Sequence, residues 1–79
     1  MKVYIKLYAG LANYMPDKKS DNLWAIDIEP NTTVYSLIKK LNLPLEKVKI
    51  IFLNNRHSNG DEVLKDKDRI GIFPLIAGG

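Results

Sequence analysis

The sequence predicts a small α+β fold in which one helix covers one face of an antiparallel or mixed sheet. Several short segments alternate apolar and polar side chains, as strands do, whereas a single segment has the apolar spacing of an amphipathic helix. The chain has 79 residues, 46% of them apolar, which is enough for one hydrophobic core. A lone helix shields only one side of a sheet, so the opposite side is expected to be uncovered.

Strands are predicted where β-forming residues alternate between two faces. In the first strand, Val3, Ile5 and Leu7 share one face. The predicted strands cover residues 2–8, 23–29, 48–53 and 69–73, with room for a further short strand between residues 56 and 65. Asn54-Asn55 predicts a tight turn, and the glycine, proline, asparagine and aspartate of residues 9–22 predict a loop with at most one helical turn.

The helix is predicted from four apolar residues that fall on one helical stripe. These residues are Val34, Leu37, Ile38 and Leu41. Thr32 or Thr33 can cap the helix by accepting a hydrogen bond from an amide of its first turn. Since neither Glu nor Gln stands at the reciprocal position, we expect a simple cap without a return bond.

The composition excludes several kinds of site. Because the chain has no cysteine, it has no disulfide, no thiolate zinc site, no cysteine-ligated cluster and no cysteine nucleophile. The single histidine, His57, does not support a multi-histidine metal site or a Ser-His-Asp arrangement. Asp66 and Asp68 lie in a turn among basic residues and do not predict a metal site. We therefore expect neither a metal ion nor a bound cofactor.

The charge and hydropathy patterns favour a solvated protein. The net charge is +3, but the lysines come in pairs spread along the chain with acidic residues among them, which predicts a mixed surface and no nucleic-acid interface. The longest uncharged stretches, residues 7–16 and 70–79, are about half of the roughly 20 residues that a membrane span needs. Lys6 interrupts the weakly apolar start, which alternates like a strand and unlike a secretory segment. We expect a cytoplasmic protein without a membrane partner.

The sequence closes on a segment whose side chains become progressively smaller. Residues 74–79 follow the last predicted strand, and we expect them to form a flexible tail on a single domain that spans residues 1–79. Fully extended at about 3.3 Å per residue, the tail would reach of order 20 Å. A glycine pair is entropically costly to dock on its own core, but it passes through a channel too narrow for larger side chains. The tail residues are Pro74, Leu75, Ile76, Ala77, Gly78 and Gly79.

Several features together resemble one protein family. They are the order of elements, the Thr32-Thr33-Val34 helix start, the FLNNR strand and turn, the LKDKDRIGIFP segment and the final AGG. On these features the chain resembles the ubiquitin-like β-grasp sulfur carriers, which include the molybdopterin synthase small subunit and the thiamine-pathway sulfur carrier. Two positions depart from the family pattern: it usually has a glycine where this chain has Lys67, and often a second proline where this chain has Leu75.

The resemblance implies a β-grasp fold with a mixed sheet of four to five strands, and a carrier without catalytic side chains of its own. The Gly79 carboxylate would be the reactive group. A ubiquitin-activating-type adenylyltransferase would adenylate it with ATP and magnesium, and a sulfur donor would convert the mixed anhydride into a thiocarboxylate. The absence of cysteine agrees with sulfur carried on the main-chain terminus.

The resemblance leaves the acceptor of the sulfur open. The loop at residues 9–22, the overall length and Pro74 favour the molybdopterin pathway, in which the chain would be the small subunit of molybdopterin synthase and the large subunit its partner. The alternatives are a thiamine-pathway sulfur carrier, a ubiquitin-like modifier conjugated to lysines through Gly79, and an RNA-binding module of the same fold.

The uncovered sheet face is the expected partner surface, because an exposed apolar patch with a basic edge suits protein recognition. If Lys49 points outward, strand alternation points Ile51 and Leu53 outward as well. Two other arrangements are open: the loop at residues 9–22 folds over this face, or Ile51 belongs to the core. The predicted partner-binding residues are Tyr4, Lys6, Ile51, Leu53, Arg69 and Phe73.

Overall fold

The fold follows the predicted order of elements. The computed structural model describes residues 1–14 and 23–74. Its elements are β1 (Lys2–Leu7), a 3₁₀ helix (Ala9–Tyr14), β2 (Leu23–Asp27), α1 (Val34–Lys40), a second 3₁₀ helix (Leu45–Lys47), β3 (Val48–Leu53), β4 (Arg56–His57) and β5 (Arg69–Pro74). The helical turn expected between residues 9 and 22 is present at its start, and the rest of that loop lies outside the described residues.

The strands of the described residues form one five-stranded mixed sheet. Their order is β2-β1-β5-β3-β4, so the first and last strands lie side by side at the centre. β1 and β5 run parallel, and the other neighbours are antiparallel. The predicted α+β class with a mixed sheet and one main helix is therefore confirmed.

The hydrophobic core lies between one face of this sheet and α1. Alternation along β1 and β5 sends every second side chain into it, and the register brings Ile5 beside Ile70 and Ile51 beside Ile72. Helix α1 contributes its apolar stripe from the opposite side. The buried apolar residues are Val3, Ile5, Leu7, Leu11, Ile28, Val34, Leu37, Ile38, Leu43, Ile51, Leu64, Ile70 and Ile72.

The start of α1 has a reciprocal cap, so the expectation of a simple one is wrong. Ser36 N–H donates to Thr33 Oγ1 at 3.2 Å, and Thr33 N–H donates to Ser36 Oγ at 2.9 Å. A serine hydroxyl accepts the return bond that Glu or Gln usually accepts. The Tyr35 amide, which has no partner within the helix because it lies in the first turn, donates to the carbonyl of Gly60 at 3.0 Å. This bond connects the segment before β5 to the helix.

The last strand extends one residue further than predicted. Pro74 belongs to β5 and faces Val48 of β3, so it is not the first residue of a free tail. A proline fits the end of a strand because its fixed φ is compatible with extended backbone. Residues 75–79 of the predicted tail lie outside the described residues.

Candidate functional site: the open face of the sheet

The sheet face opposite α1 carries an aromatic and basic groove, here called the open face. It is assembled from four strands. The register of β1 places Tyr4 beside Arg69 of β5 and Lys6 between Gly71 of β5 and Leu23 of β2, and Phe52 of β3 lies on the other side of Gly71. The groove has a volume of about 640 Å³. Its lining residues are Tyr4, Lys6, Tyr8, Leu23, Phe52, Asn55, Arg69, Ile70, Gly71 and Phe73.

Three aromatic rings form a connected cluster across this face. Tyr8 and Phe73 stack in parallel, with ring centroids 4.0 Å apart and planes inclined by 7°. Phe52 meets Phe73 edge to face, with centroids 5.7 Å apart. The edge-to-face pair has a favourable geometry for aromatic quadrupoles and adds about 0.5–1.5 kcal/mol to the effect of its buried area. The cluster is therefore a preformed apolar surface, half-buried and still accessible.

Gly71 forms the floor beneath this cluster. A Cβ at this position would lie 3.4 Å from Cε2 of Tyr8 and 4.0 Å from the Cβ of Phe52, which is ordinary van der Waals contact. Because glycine has no side chain, the floor of the groove is backbone. Positive charge borders the rings, since Lys6 Nζ lies 5.3 Å from the Tyr8 ring centroid and Arg69 lines the groove.

Four of the six predicted partner-binding residues lie on the open face, namely Tyr4, Lys6, Arg69 and Phe73. Ile51 and Leu53 do not: Ile51 is 4% exposed in the core, and Leu53 packs against the core. Their predicted outward orientation is wrong, because both face inward-pointing residues of β5. The register shifts between Val48 and Ile50, so the orientation of Lys49 does not set that of the residues after it.

The predicted set omits several residues of this face, among them four large apolar or aromatic ones. Phe52 and Ile50 occupy the outward positions of β3, and Tyr8 and Leu23 stand at the ends of β1 and β2. The run from Val48 to Leu53 has too little alternation to reveal which residues face out. The alternation of β1 already places Tyr8 on the same face as Tyr4 and Lys6, because every second residue of a strand points to the same side, so Tyr8 could have been included in the predicted site.

The open face borders the point where the chain leaves the sheet. Ile50, which is 42% exposed, pairs with Phe73, and Phe73 directly precedes the last residue of β5. The aromatic surface is therefore continuous with the start of the segment that leads to Gly78 and Gly79. Gly78 and Gly79 themselves lie outside the described residues, as do Leu75, Ile76 and Ala77.

The other polar residues noted in the sequence stabilise turns. Asp66 Oδ1 accepts a bond from the Lys2 amide at 2.8 Å, while Asp68 accepts from the Lys65 amide at 2.7 Å and from Asn54 Nδ2 at 2.9 Å. His57 is exposed on β4 and touches the edge of Phe52. Within residues 1–14 and 23–74, no three acidic or histidine side chains are placed to hold a metal ion.

One further carboxylate has a perturbed acidity. The Ser58 hydroxyl donates to Glu62, and this bond, with smaller contributions from the backbone amides of Glu62 and Gly60 and from the charge of His57, lowers the pKa of Glu62. Desolvation opposes the shift without reversing it. Glu62 lies away from the open face, in the segment that contacts α1.

None of the described helices has the length and apolar character needed to span a bilayer.

Comparison with protein families and with solved structures gives consistent findings. The model of the ThiS family matches residues 21–79. SAMP1 from Haloferax volcanii superposes with a TM-score of 0.72 at 18% identity, with full coverage of both chains. A provisionally assigned molybdopterin converting factor, subunit 1, from Pyrococcus furiosus gives a TM-score of 0.66 at 25% identity, covering 95% of this chain and 98% of that one.

A third similar structure contains two kinds of subunit. It is a complex of subunits 1 and 2 of molybdopterin-converting factor from Helicobacter pylori, matched with a TM-score of 0.61 at 23% identity and full coverage of both chains. A search of curated proteins finds no match. The β-grasp, ubiquitin-like fold is shared by these neighbours, and the family match includes the glycine pair.

Proposed function

Because the chain belongs to the ThiS family, we propose that it is a sulfur carrier whose reactive group is the Gly79 carboxylate. The family and the structural neighbours support a sulfur carrier or a ubiquitin-like modifier. The observation that carries the proposal is the continuity of the open face with the end of β5: a partner that binds Phe52 and Phe73 is positioned to receive the residues that follow Pro74.

The proposed chemistry takes place on the main chain. The Gly79 carboxylate attacks the α-phosphate of ATP bound with magnesium to an adenylyltransferase, which forms an acyl adenylate and releases pyrophosphate. Sulfide then attacks the acyl carbon, AMP leaves with the C–O bond electrons, and a thiocarboxylate results. A free carboxylate resists such attack because its charge is delocalised, and the phosphate leaving group removes this barrier. No side chain of the carrier takes part in either step.

We assign the sulfur to molybdopterin synthesis, with a large synthase subunit as the partner of the open face. The similarity to two solved structures, molybdopterin converting factor subunit 1 from P. furiosus and the two-subunit complex from H. pylori, supports this assignment. The exposed rings with Lys6 and Arg69 beside them match the composition of a protein interface, in which aromatic residues and arginine are enriched. A thiamine-pathway acceptor is the second candidate within the same chemistry.

Intact-mass spectrometry tests the carrier proposal. Incubation with a ubiquitin-activating-type adenylyltransferase, ATP, magnesium and sulfide is expected to raise the mass by the difference between one sulfur and one oxygen atom. A variant lacking Gly79 and a variant with one alanine added after it are expected to stay unmodified while keeping the wild-type unfolding curve. An unmodified wild-type chain, or equal modification of the variant lacking Gly79, would contradict the proposal.

A modifier function is the competing proposal, supported by the similarity to SAMP1. It predicts isopeptide bonds between Gly79 and lysines of other proteins, which appear in tryptic digests of cells that express the chain as lysines carrying residues 70–79, because Arg69 is the last tryptic cleavage site. Those remnants without any thiocarboxylate in the purified protein would favour the modifier. A thiocarboxylate that is consumed by a pterin precursor only when the large subunit is present would favour molybdopterin synthesis over the thiamine pathway.

A further inference from the structure

The net positive charge of the chain is concentrated in one short segment. Residues 39–49 contain Lys39, Lys40, Lys47 and Lys49 but only one acid, Glu46, so their net charge equals the +3 of the whole chain. The other residues carry equal numbers of basic and acidic side chains. This segment comprises the end of α1, the second 3₁₀ helix and the start of β3, and all four lysines are exposed.

The same segment encloses an apolar groove on the helix side of the fold. The groove has a volume of about 390 Å³ and is lined by Tyr35, Lys39, Leu45 and Val48. Tyr35 and Leu45 are large apolar side chains that are 43% and 42% exposed. It shares no lining residue with the open face. Exposed apolar walls in a segment with a net charge are a feature of recognition sites.

The walls of this groove are held in place by the fold. Tyr35 and Lys39 are one helical turn apart on α1, so they line the same side of the helix. The Tyr35 ring lies directly against the backbone of Gly60, whose φ is +90°, and a Cβ there would come 2.6 Å from Cδ2 of the ring. Leu45 and Val48 are joined by one 3₁₀ turn, in which the Val48 amide donates to the Leu45 carbonyl and the Lys47 amide donates to the Pro44 carbonyl at 2.9 Å. The groove is thus preorganised, which lowers the entropic cost of binding.

We infer that this groove is a second docking site, which binds an acidic segment of a partner protein that carries one apolar side chain. The apolar side chain enters between Tyr35 and Leu45. The acidic residues on either side of it pair with Lys39, which lines the groove, and with Lys47, which is exposed at the end of the 3₁₀ helix that begins at Leu45. Charge complementarity selects the partner, since the only acid in the segment is Glu46. The site lies apart from the open face, so the chain can hold this partner while the open face is occupied.

The test uses the full chain and a blocked synthetic peptide in which glutamates flank a single leucine. Titration followed by backbone amide NMR is expected to shift the signals of Tyr35, Lys39 and Leu45 and to leave those of Tyr4 and Gly71 in place. Lys39→Glu and Leu45→Ser are each expected to weaken binding by about tenfold or more. Lys65→Glu is the matched control: it makes the same charge change on a distant turn and is expected to retain the affinity.

Other outcomes would overturn the inference. Equal binding of a peptide with serine in place of leucine would show charge attraction without a docking pocket. Tighter binding of an oligouridylate than of the peptide, with the same NMR shifts, would assign the segment to nucleic acid, and concentration-dependent shifts without peptide would assign it to a second copy of the chain. Since the variant lacking Gly79 should bind the peptide as the wild type does, failure of the carrier proposal leaves this test unaffected.

Discussion

At the scale of single residues, the turn before β5 contains a backbone conformation that its side chain disfavours. Lys67 has a φ of 71°, which lies in the left-handed region. The sulfur carriers that this chain resembles usually have a glycine at this position. The turn holds it there, because the Lys67 amide donates to the Lys2 carbonyl at 2.6 Å and Asp66 accepts from the Lys2 amide. The departure from the family pattern noted in the sequence therefore coincides with a strained residue.

Replacing Lys67 by glycine should stabilise the protein. Relief of the left-handed conformation is worth about 1–2 kcal/mol, and the greater freedom of glycine in the unfolded chain offsets about 0.5–1 kcal/mol of it. We expect a net gain of about 0.5–1 kcal/mol in the free energy of unfolding, measured with urea. Lys65→Gly, whose φ is not positive, is the control and should lose stability. Equal losses in both variants would show that Lys67 is unstrained.

The acidity of Glu62 gives a second prediction at this scale. Its folded pKa lies below the unfolded value, chiefly because the Ser58 hydroxyl donates to the carboxylate. The charged form is thus favoured in the folded state, so this contribution to stability is present above the unfolded pKa and is lost as the pH falls through the folded one. Ser58→Ala should move the Glu62 pKa back toward its ordinary value, measured by NMR titration of the side-chain carboxyl carbon. An unchanged pKa in this variant would assign the shift to other groups.

At the scale of elements, the sequence predicts where strands and helix lie better than which way β3 faces. The boundaries of β3 are as predicted, and α1 ends one residue early. Alternation identifies the buried side of β1 because Val3, Ile5 and Leu7 are separated by polar or aromatic residues. In β3 the apolar residues run consecutively from Ile50 to Leu53, and the register shift before them depends on pairing with β5, a long-range contact.

The orientation of β3 is tested by two neighbouring isoleucines that differ in position alone. Ile51→Ala should reduce the free energy of unfolding by about 2–4 kcal/mol, because it leaves a cavity in the core. Ile50→Ala should cost less than about 1 kcal/mol, since its side chain is 42% exposed on the open face. Chemical denaturation of both variants measures the difference. The reverse order of losses would restore the orientation expected from the sequence.

At the scale of the whole molecule, the fold places two recognition surfaces on opposite sides of one small core. The uncovered sheet face follows from the presence of one helix, which the sequence already predicts. The sequence does not predict that the basic residues surround a groove, because Tyr35 of α1 and Leu45 of the second 3₁₀ helix come together only in the folded chain. The mixed surface expected from the sequence is therefore accurate for most of the chain and incomplete for residues 39–49.

If the two surfaces act separately, variants on them should have additive effects. Phe52→Ala removes a ring of the open face. It should raise the KM of the activating enzyme, because that enzyme also has to receive the residues that follow Pro74 beside this face, and it should leave the affinity for the acidic peptide unchanged. Lys39→Glu should weaken binding of the acidic peptide and leave the KM of the activating enzyme unchanged, since Lys39 lines the other groove. In the double variant, each loss should equal that of the single variant within about 0.5 kcal/mol, as expected for sites without shared contacts. Activation kinetics and peptide titration on the four proteins measure this, with urea unfolding to confirm that each is folded. A coupling energy well above that value would mean that the core transmits occupancy from one face to the other.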